Sequence, residues 1–360
     1  MASTQETDHI VVLGAGVIGL QTALTLLSHG YRVTIVSSSW PGALDDPHYT
    51  SMFSGAQWRS NPALTDQQQI AWDRTTLLHW RDLIANAAAN STGSSLGLEV
   101  RQAKFFWDSL PTHPPSQEHW WSSNEPFVPI CVIEPEDCIK RGFKAGFAYE
   151  TVAVNPILYC SWLLQQCEAH NVQKRTLRLG NLQTAFEERV TGTREAHAVV
   201  NCAGLDAGIL VGDETCFPTG GQTVLVRGQA HQIVTRRNEL SGDPWEALVI
   251  PRPGENVTML GGCKRAGNWN TEPDNEITET ILERCKLLAP ELLNEKGNFD
   301  IVAVRVGLRP SRKGGPRVEV EELENGKFAV HNYGHHSAGF EGSVGAAEAV
   351  AKLIANRLEK

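Results

Sequence analysis

The chain contains no Cys-x-x-Cys pair and no His/Cys run at metal-ligand spacing: Cys131, Cys138, Cys160, Cys167, Cys202, Cys216, Cys263 and Cys285 are scattered singly. A zinc centre and a redox dithiol are therefore set aside, and no metal is expected. Blocks of five or six like charges are also missing, and the net charge is −9. Both facts argue against nucleic acid or an anionic membrane surface as a partner. The longest nearly apolar stretch, residues 10–20, is too short to span a bilayer, and residues 1–8 lack the basic start of a secretory signal. The expected setting is the cell interior, where the sequons at Asn90 and Asn256 stay unmodified. What remains is 360 residues with 41% hydrophobic and 20% charged side chains, an ordinary globular composition with length enough for two domains.

Against these absences stands one strong motif. Ile10, Val11, Val12 and Leu13 form an apolar strand that runs straight into Gly14, Ala15, Gly16, Val17, Ile18 and Gly19. Gly14 permits the tight turn, Gly16 lets backbone approach a pyrophosphate, and Gly19 lets the following helix pack on the strand. A helix over 20–28, a stop at Gly30 and a second strand over 32–36 complete a βαβ unit that receives a dinucleotide. An NAD-binding unit wants Asp or Glu at the end of that second strand, where this chain has Ser37, Ser38 and Ser39. Plain NAD use is thereby disfavoured, while serine hydroxyls still suit ribose or phosphate oxygens.

Further along, Thr65-Asp66-Gln67-Gln68 reads as a capping box opening a helix that carries Ile70, Leu77, Trp80, Ile84 and Ala87 on one face and runs to about Asn90. Residues 91–130 read as loops and short strands. Asn155-Pro156 caps a helix over 157–170, and a second amphipathic helix covers 277–288 before Pro290. Strands are expected at 222–226, 247–251, 257–261 and 302–306. A late apolar strand ends in small residues at Asn201-Cys202-Ala203-Gly204-Leu205. A glycine-rich turn over 333–342 then leads into a last helix with Val344, Ala347, Ala351 and Ile354 on one face, whose N-terminus suits an anion such as a reduced flavin.

These pieces, with Ser54-Gly55-Ala56, Ile250-Pro251-Arg252-Pro253-Gly254, Gly261-Gly262 and Trp269, Val306-Gly307-Leu308-Arg309-Pro310, Gly314-Gly315-Pro316-Arg317, His331-Asn332-Tyr333-Gly334 and Ser337-Ala338-Gly339, resemble the D-amino-acid oxidase family, and most closely its fungal members. The resemblance covers nearly the whole chain. It implies an α/β fold, with a Rossmann-like FAD domain assembled from residues 1–60, 146–210 and 303–360. A substrate domain with a large mixed or antiparallel sheet would use 61–145 and 211–302. Implied FAD contacts are Gly14, Ala15, Gly16, Val17, Ile18, Gly19, Ser37, Ser38, Ser54, Gly55, Ala56, Gln57, Val152, Cys202, Ala203, Gly204, Arg309, Ser337, Ala338, Gly339, Phe340 and Glu341. The implied reaction takes a D-amino acid, O2 and water to the 2-oxo acid, ammonia and hydrogen peroxide through an imine, by hydride transfer from Cα to flavin N5. A homodimer is a candidate assembly. The family also implies a peroxisomal address, although Leu358-Glu359-Lys360 is not a Ser-Lys-Leu signal.

Such a reaction needs orientation more than an acid or base, and none is assigned. An α-carboxylate calls for the planar fork of an arginine, and Arg309, expected at a strand end, occupies the family's place for it. Ser337 is expected near the substrate amine and the flavin ring. Members acting on neutral substrates carry tyrosines where this chain has Leu248 and Lys264. The Lys264 place resembles the basic one of D-aspartate oxidases, and Arg59, Arg236, Arg237, Arg265 and His336 add candidate charges. The expected preference is D-aspartate or D-glutamate. A neutral-substrate oxidase, a glycine or sarcosine oxidase, and a non-catalytic dinucleotide-binding protein remain open alternatives.

Overall fold

The structure, a computed structural model, describes residues 7–89, 96–122, 127–192, 195–239 and 245–359. The helix end expected at Asn90, the sequon there and Lys360 lie outside the described residues. Among the described residues the strands, numbered β1–β15 in chain order, form two sheets. The six-stranded sheet contains β1 (His9–Leu13), β2 (Arg32–Ser37), β6 (Gln173–Thr176), β7 (Ala198–Asn201), β14 (Arg317–Glu322) and β15 (Phe328–Tyr333), in the order β14-β15-β7-β1-β2-β6. Its pairs are parallel except β14 with β15. The nine-stranded sheet contains β3 (Leu98–Trp107), β4 (Ile130–Val132), β5 (Ala145–Val154), β8 (Cys216–Arg227), β9 (Ile233–Asn238), β10 (Trp245–Pro251), β11 (Val257–Gly261), β12 (Arg265–Ala266) and β13 (Ile301–Arg312). It is antiparallel apart from the β3–β9 pair.

β1 is buried along its whole length, as expected of a central parallel strand covered on both faces, and this is why it reads as an unbroken Ile/Val/Leu run. The helix Val17–Ser28 follows and stops at Gly30, whose φ is +88°. Asn155 caps the helix Pro156–Ala169 as expected, accepting from the backbone N–H groups of Ile157 and Leu158. Val344, Ala347, Ala351 and Ile354 are buried on the last helix, Ser343–Leu358.

Several expectations need correction. The helix Gln67–Ala89 is capped by Asp66 rather than Thr65, because the Asp66 carboxylate reaches Gln69 N at 3.1 Å. The helix expected over 277–288 is Asn275–Lys286, since Asp274 Oδ1 already caps Glu276 and Ile277. Residues 91–130 hold more than short strands: β3 is ten residues long, and its end, Phe105, Phe106 and Trp107, is buried on both faces and so shows no alternation. Arg309 lies inside β13, opposite Thr219, not at a strand end. Pro310 is tolerated there because, among the strands of the described residues, β13 pairs with β8 alone, apart from a single bridge from Ser311 to His335. Sheet membership also departs from the boundaries drawn at 146 and 303, since both β5 and β13 run in the larger sheet. No helix among the described residues is long and apolar enough to cross a membrane.

Candidate active site

A cavity of about 420 Å3 runs between the two sheets, lined from both. One wall is the turn after β1. Gly14 has φ +100°, and a Cβ there would stand 2.5 Å from Cys202 O at the end of β7, while one on Gly19 would stand 2.0 Å from Gly14 O. The turn therefore closes only with hydrogen at both places. Gly16 begins the helix Val17–Ser28 without a side-chain cap of its own, and Val17 N donates to Ser51 Oγ at 3.0 Å; the helix start otherwise suits an anion. Ser37 Oγ accepts from Ala15 N at 3.2 Å and ties the end of β2 to that turn. Gly14, Ala15, Gly16, Val17, Ile18, Ser37, Ser38, Ser39, Ser54, Gly55, Ala56, Gln57, Cys202, Ala203, Gly204, Ser337, Gly339, Phe340 and Glu341 all line the cavity. Gly19 packs behind the turn, as its expected part in the helix–strand contact requires.

Arg309, Lys264, Leu248 and Arg59 line the same cavity. Arg309 projects from β13 across Gly221 on β8, where a Cβ would stand 2.1 Å from its Nη1. That nitrogen donates to Cys263 O at 3.3 Å. Among the described residues no carboxylate pairs with Arg309, and burial lowers its pKa. Burial also lowers the Lys264 pKa, as do Arg309, Arg59 and Arg237, while Glu246 pulls it up. Burial, with Arg309 and Lys264, pushes His336 down to about 4, so it is neutral at pH 7 and not the expected charge. Its Nδ1 meets Ser337 Oγ at 2.9 Å.

Other expected charges are accounted for by partners. Arg59 Nη2 donates to Glu246 Oε2 at 2.7 Å, and Arg237 donates to Glu246 Oε1. Burial disfavours ionisation of Glu246, but Arg59 and Arg237 outweigh it and hold the carboxyl at about 2. Arg236 pairs with Asp108 at 2.9 Å. Arg236, Arg237 and Arg265 do not line the cavity. Nor do Ala338 and Val152. Val152 is buried in β5, where its carbonyl accepts from Trp58 N, and cavity surface comes instead from Leu177, Arg178 and Leu179, just past β6. The start of the last helix is closed too: Val344 N donates to Thr76 Oγ1 at 3.1 Å, and Gly342 packs on Gln69 and Asp73.

Sequence patterning gives no sign of Glu246, a lone acid inside a strand. Asp46 is likewise unsignalled. Its carboxylate accepts from Ser39 Oγ at 2.6 Å, which puts an acid beside the three serines from a different loop. Glu246 itself, Asp46, Tyr49, Ser51, Asp206, Asn332 and His335 are among the further lining residues. Gln57 Oε1 and His335 Nδ1 are buried there without a hydrogen-bond partner, as polar walls for a hydrogen-bonding ligand would be. Together with the glycine turn, these walls fit a dinucleotide that carries a hydrogen-bonding ring.

Comparison with known proteins agrees. A family model described as FAD dependent oxidoreductase (DAO) matches residues 9–353. A D-amino-acid oxidase from Fusarium vanettenii is 32% identical over 97% of this chain and 97% of its own length. A D-aspartate oxidase from Talaromyces thermophilus is also 32% identical, over 96% and 94%. Glycine oxidase from Geobacillus kaustophilus shares the fold, with a TM-score of 0.74, 18% identity and coverage of 97% and 95%. The chain belongs to the DAO family of FAD dependent oxidoreductases, and its cofactor is FAD.

Proposed function

We propose that this protein is an FAD-dependent D-amino-acid oxidase that favours acidic side chains, taking D-aspartate or D-glutamate, O2 and water to the 2-oxo acid, ammonia and hydrogen peroxide. The observation that carries the reading is the pair of cavity cations, Arg309 and Lys264, neither of which has an ion-pair partner among the described residues. A cation in a partly desolvated site is costly unless an anion meets it. An acidic amino acid brings two carboxylates.

Arg309 would hold the α-carboxylate, since its fork accepts both oxygens at once. Gly221 leaves room for that guanidinium. Lys264 would meet the side-chain carboxylate, with Leu248 supplying apolar wall. Ser337 would offer its hydroxyl to the amine. When bound, FAD supplies the two-electron acceptor that oxygen regenerates. The glycine turn, Ser37 and the Ser54-Gly55-Ala56 segment would hold and face it.

The test is a peroxide assay with D- and L-aspartate, D-glutamate, D-alanine and sarcosine. The expected result is peroxide from D-isomers only, with D-aspartate or D-glutamate giving the highest kcat/KM. Preference for D-alanine would replace this reading by a neutral-substrate oxidase, and activity on sarcosine alone by a glycine or sarcosine oxidase.

A further inference from the structure

Two arginines share the Glu246 carboxylate, and they do not depend on it equally. Arg59 Nη2 donates to Oε2 at 2.7 Å, while Arg237 Nε and Nη2 donate to Oε1 at 3.0 and 2.9 Å. All three side chains are largely buried, with 15 to 22% exposure. Arg237 Nη1 also lies 3.6 Å from Glu118 and 3.8 Å from Glu239, and Arg237 stays out of the cavity lining. Arg59 lines the cavity, and among the described residues Glu246 is its sole ion-pair partner. Its other side-chain contacts are weak, a 3.4 Å hydrogen bond to Thr235 Oγ1 and the face of Phe105 at 5.5 Å. A desolvated guanidinium that loses its carboxylate turns toward water or another anion. For Arg59 that direction is the cavity it already lines.

Resting on the reading of this cavity as an acidic D-amino-acid site, we propose that Glu246 determines substrate specificity by clamping Arg59 to the β9–β10 wall, so that an incoming substrate meets two free cations, Arg309 and Lys264. Two substrate carboxylates are then matched one to one. Glu246 acts through Arg59 and is a positioning residue. Without its charge, Arg59 becomes a third cation on a long side chain. Anionic side chains gain over neutral ones, and the distinction between aspartate and glutamate blurs because a flexible cation follows a carboxylate at either distance.

The test compares holoenzyme carrying Glu246→Gln, Arg59→Met or both. Two ratios are read: kcat/KM for D-aspartate over D-alanine, and the affinity for malonate over propionate, followed by perturbation of the bound-flavin absorbance without turnover. Glu246→Gln should raise both ratios roughly fivefold, the size of one added ion pair in a partly exposed site. The double variant should return to within about twofold of Arg59→Met, because the coupling runs through that one guanidinium. Unchanged ratios in Glu246→Gln, or a rise that survives in the double variant, would overturn the clamp. Arg59→Met provides a check even where Glu246→Gln fails to fold. A clamped guanidinium is no reader, so the malonate preference should move less than about twofold, and a loss of roughly tenfold or more would make Arg59 a direct reader and sink the proposal. Both ratios are compared before and after substitution, so a wild-type preference for D-alanine would remove the acidic-substrate reading while still judging the clamp.

Discussion

Arg309 draws one carbonyl, that of Cys263, from its surroundings. In the proposed reading every D-amino acid presents the same α-carboxylate to it. Replacing it with Leu should therefore lower kcat/KM for acidic and neutral substrates alike, by about 2–5 kcal/mol, and Arg309→Lys should also fall because a point charge cannot reproduce the fork. Steady-state kinetics that match wild type in the Leu variant would show the carboxylate held elsewhere. Lys264→Met should instead divide the substrates, with acidic ones losing roughly tenfold or more, about 1.5–3 kcal/mol for a charge-assisted hydrogen bond, and D-alanine hardly changing. The pH dependence has a definite sign. The ammonium is charged below its pKa, and burial with three nearby arginines lowers that pKa from the ordinary lysine value. The preference for D-aspartate over D-alanine should be level near neutrality and decline as pH rises, beginning below the pH of an ordinary lysine. A ratio flat to pH 11 would count against Lys264. Both cations were legible in the sequence because they sit within recognisable motifs. Glu246 was not, because an acid between Trp245 and Ala247 has no local signature, and its meaning comes from Arg59 and Arg237, which other strands and loops bring to it.

The β1 turn and the helix after it offer two glycines whose surroundings differ. A Cβ on Gly16 would meet a side-chain hydroxyl, Ser51 Oγ at 3.0 Å, whereas one on Gly19 would strike the backbone carbonyl of Gly14. Gly16→Val should fold yet lose FAD, because its side chain fills the approach to the pyrophosphate. Gly19→Ala should destabilise the apoprotein as well, overpacking costing about 1–3 kcal/mol or more and lowering its Tm. Thermal denaturation with and without added FAD separates the two, and a Gly16→Val protein that purifies yellow would contradict the first. This unit was legible because strand, turn and helix are local. The last helix was legible in its buried face and misleading at its start, since a free N-terminus can be read from sequence but Thr76, which occupies it from the helix Gln67–Ala89, cannot. The sequence likewise hid β3, whose end is buried on both faces and shows no period of two.

Across the whole molecule, the helix Gln67–Ala89 and the turn before the last helix enclose two carboxyls, and after burial the Asp73 charge adds to the rise of Glu341. Burial pushes Asp73 up to about 7 and raises Glu341 well above the ordinary carboxyl range. Ser60 and Gln69 each donate to Asp73 at 2.6 Å. Between about pH 4, where an unfolded aspartate ionises, and about 7, the folded chain keeps a proton that the unfolded chain has released, so this group's contribution to stability declines as pH rises through that window. Asp73→Asn should flatten the decline of Tm between pH 4 and 7, and an unchanged slope would place the protons elsewhere. The cavity itself joins segments far apart in the chain: Asn332 donates to Thr22 across 310 residues, and the walls combine Gly14 with Glu341. A ribosome working from the N-terminus delivers the glycine turn long before the opposite wall. A nascent chain halted before β15 would carry the complete nucleotide motif without the wall that faces it, so flavin capture should wait for both walls, and a truncation ending before Phe328 should purify without flavin.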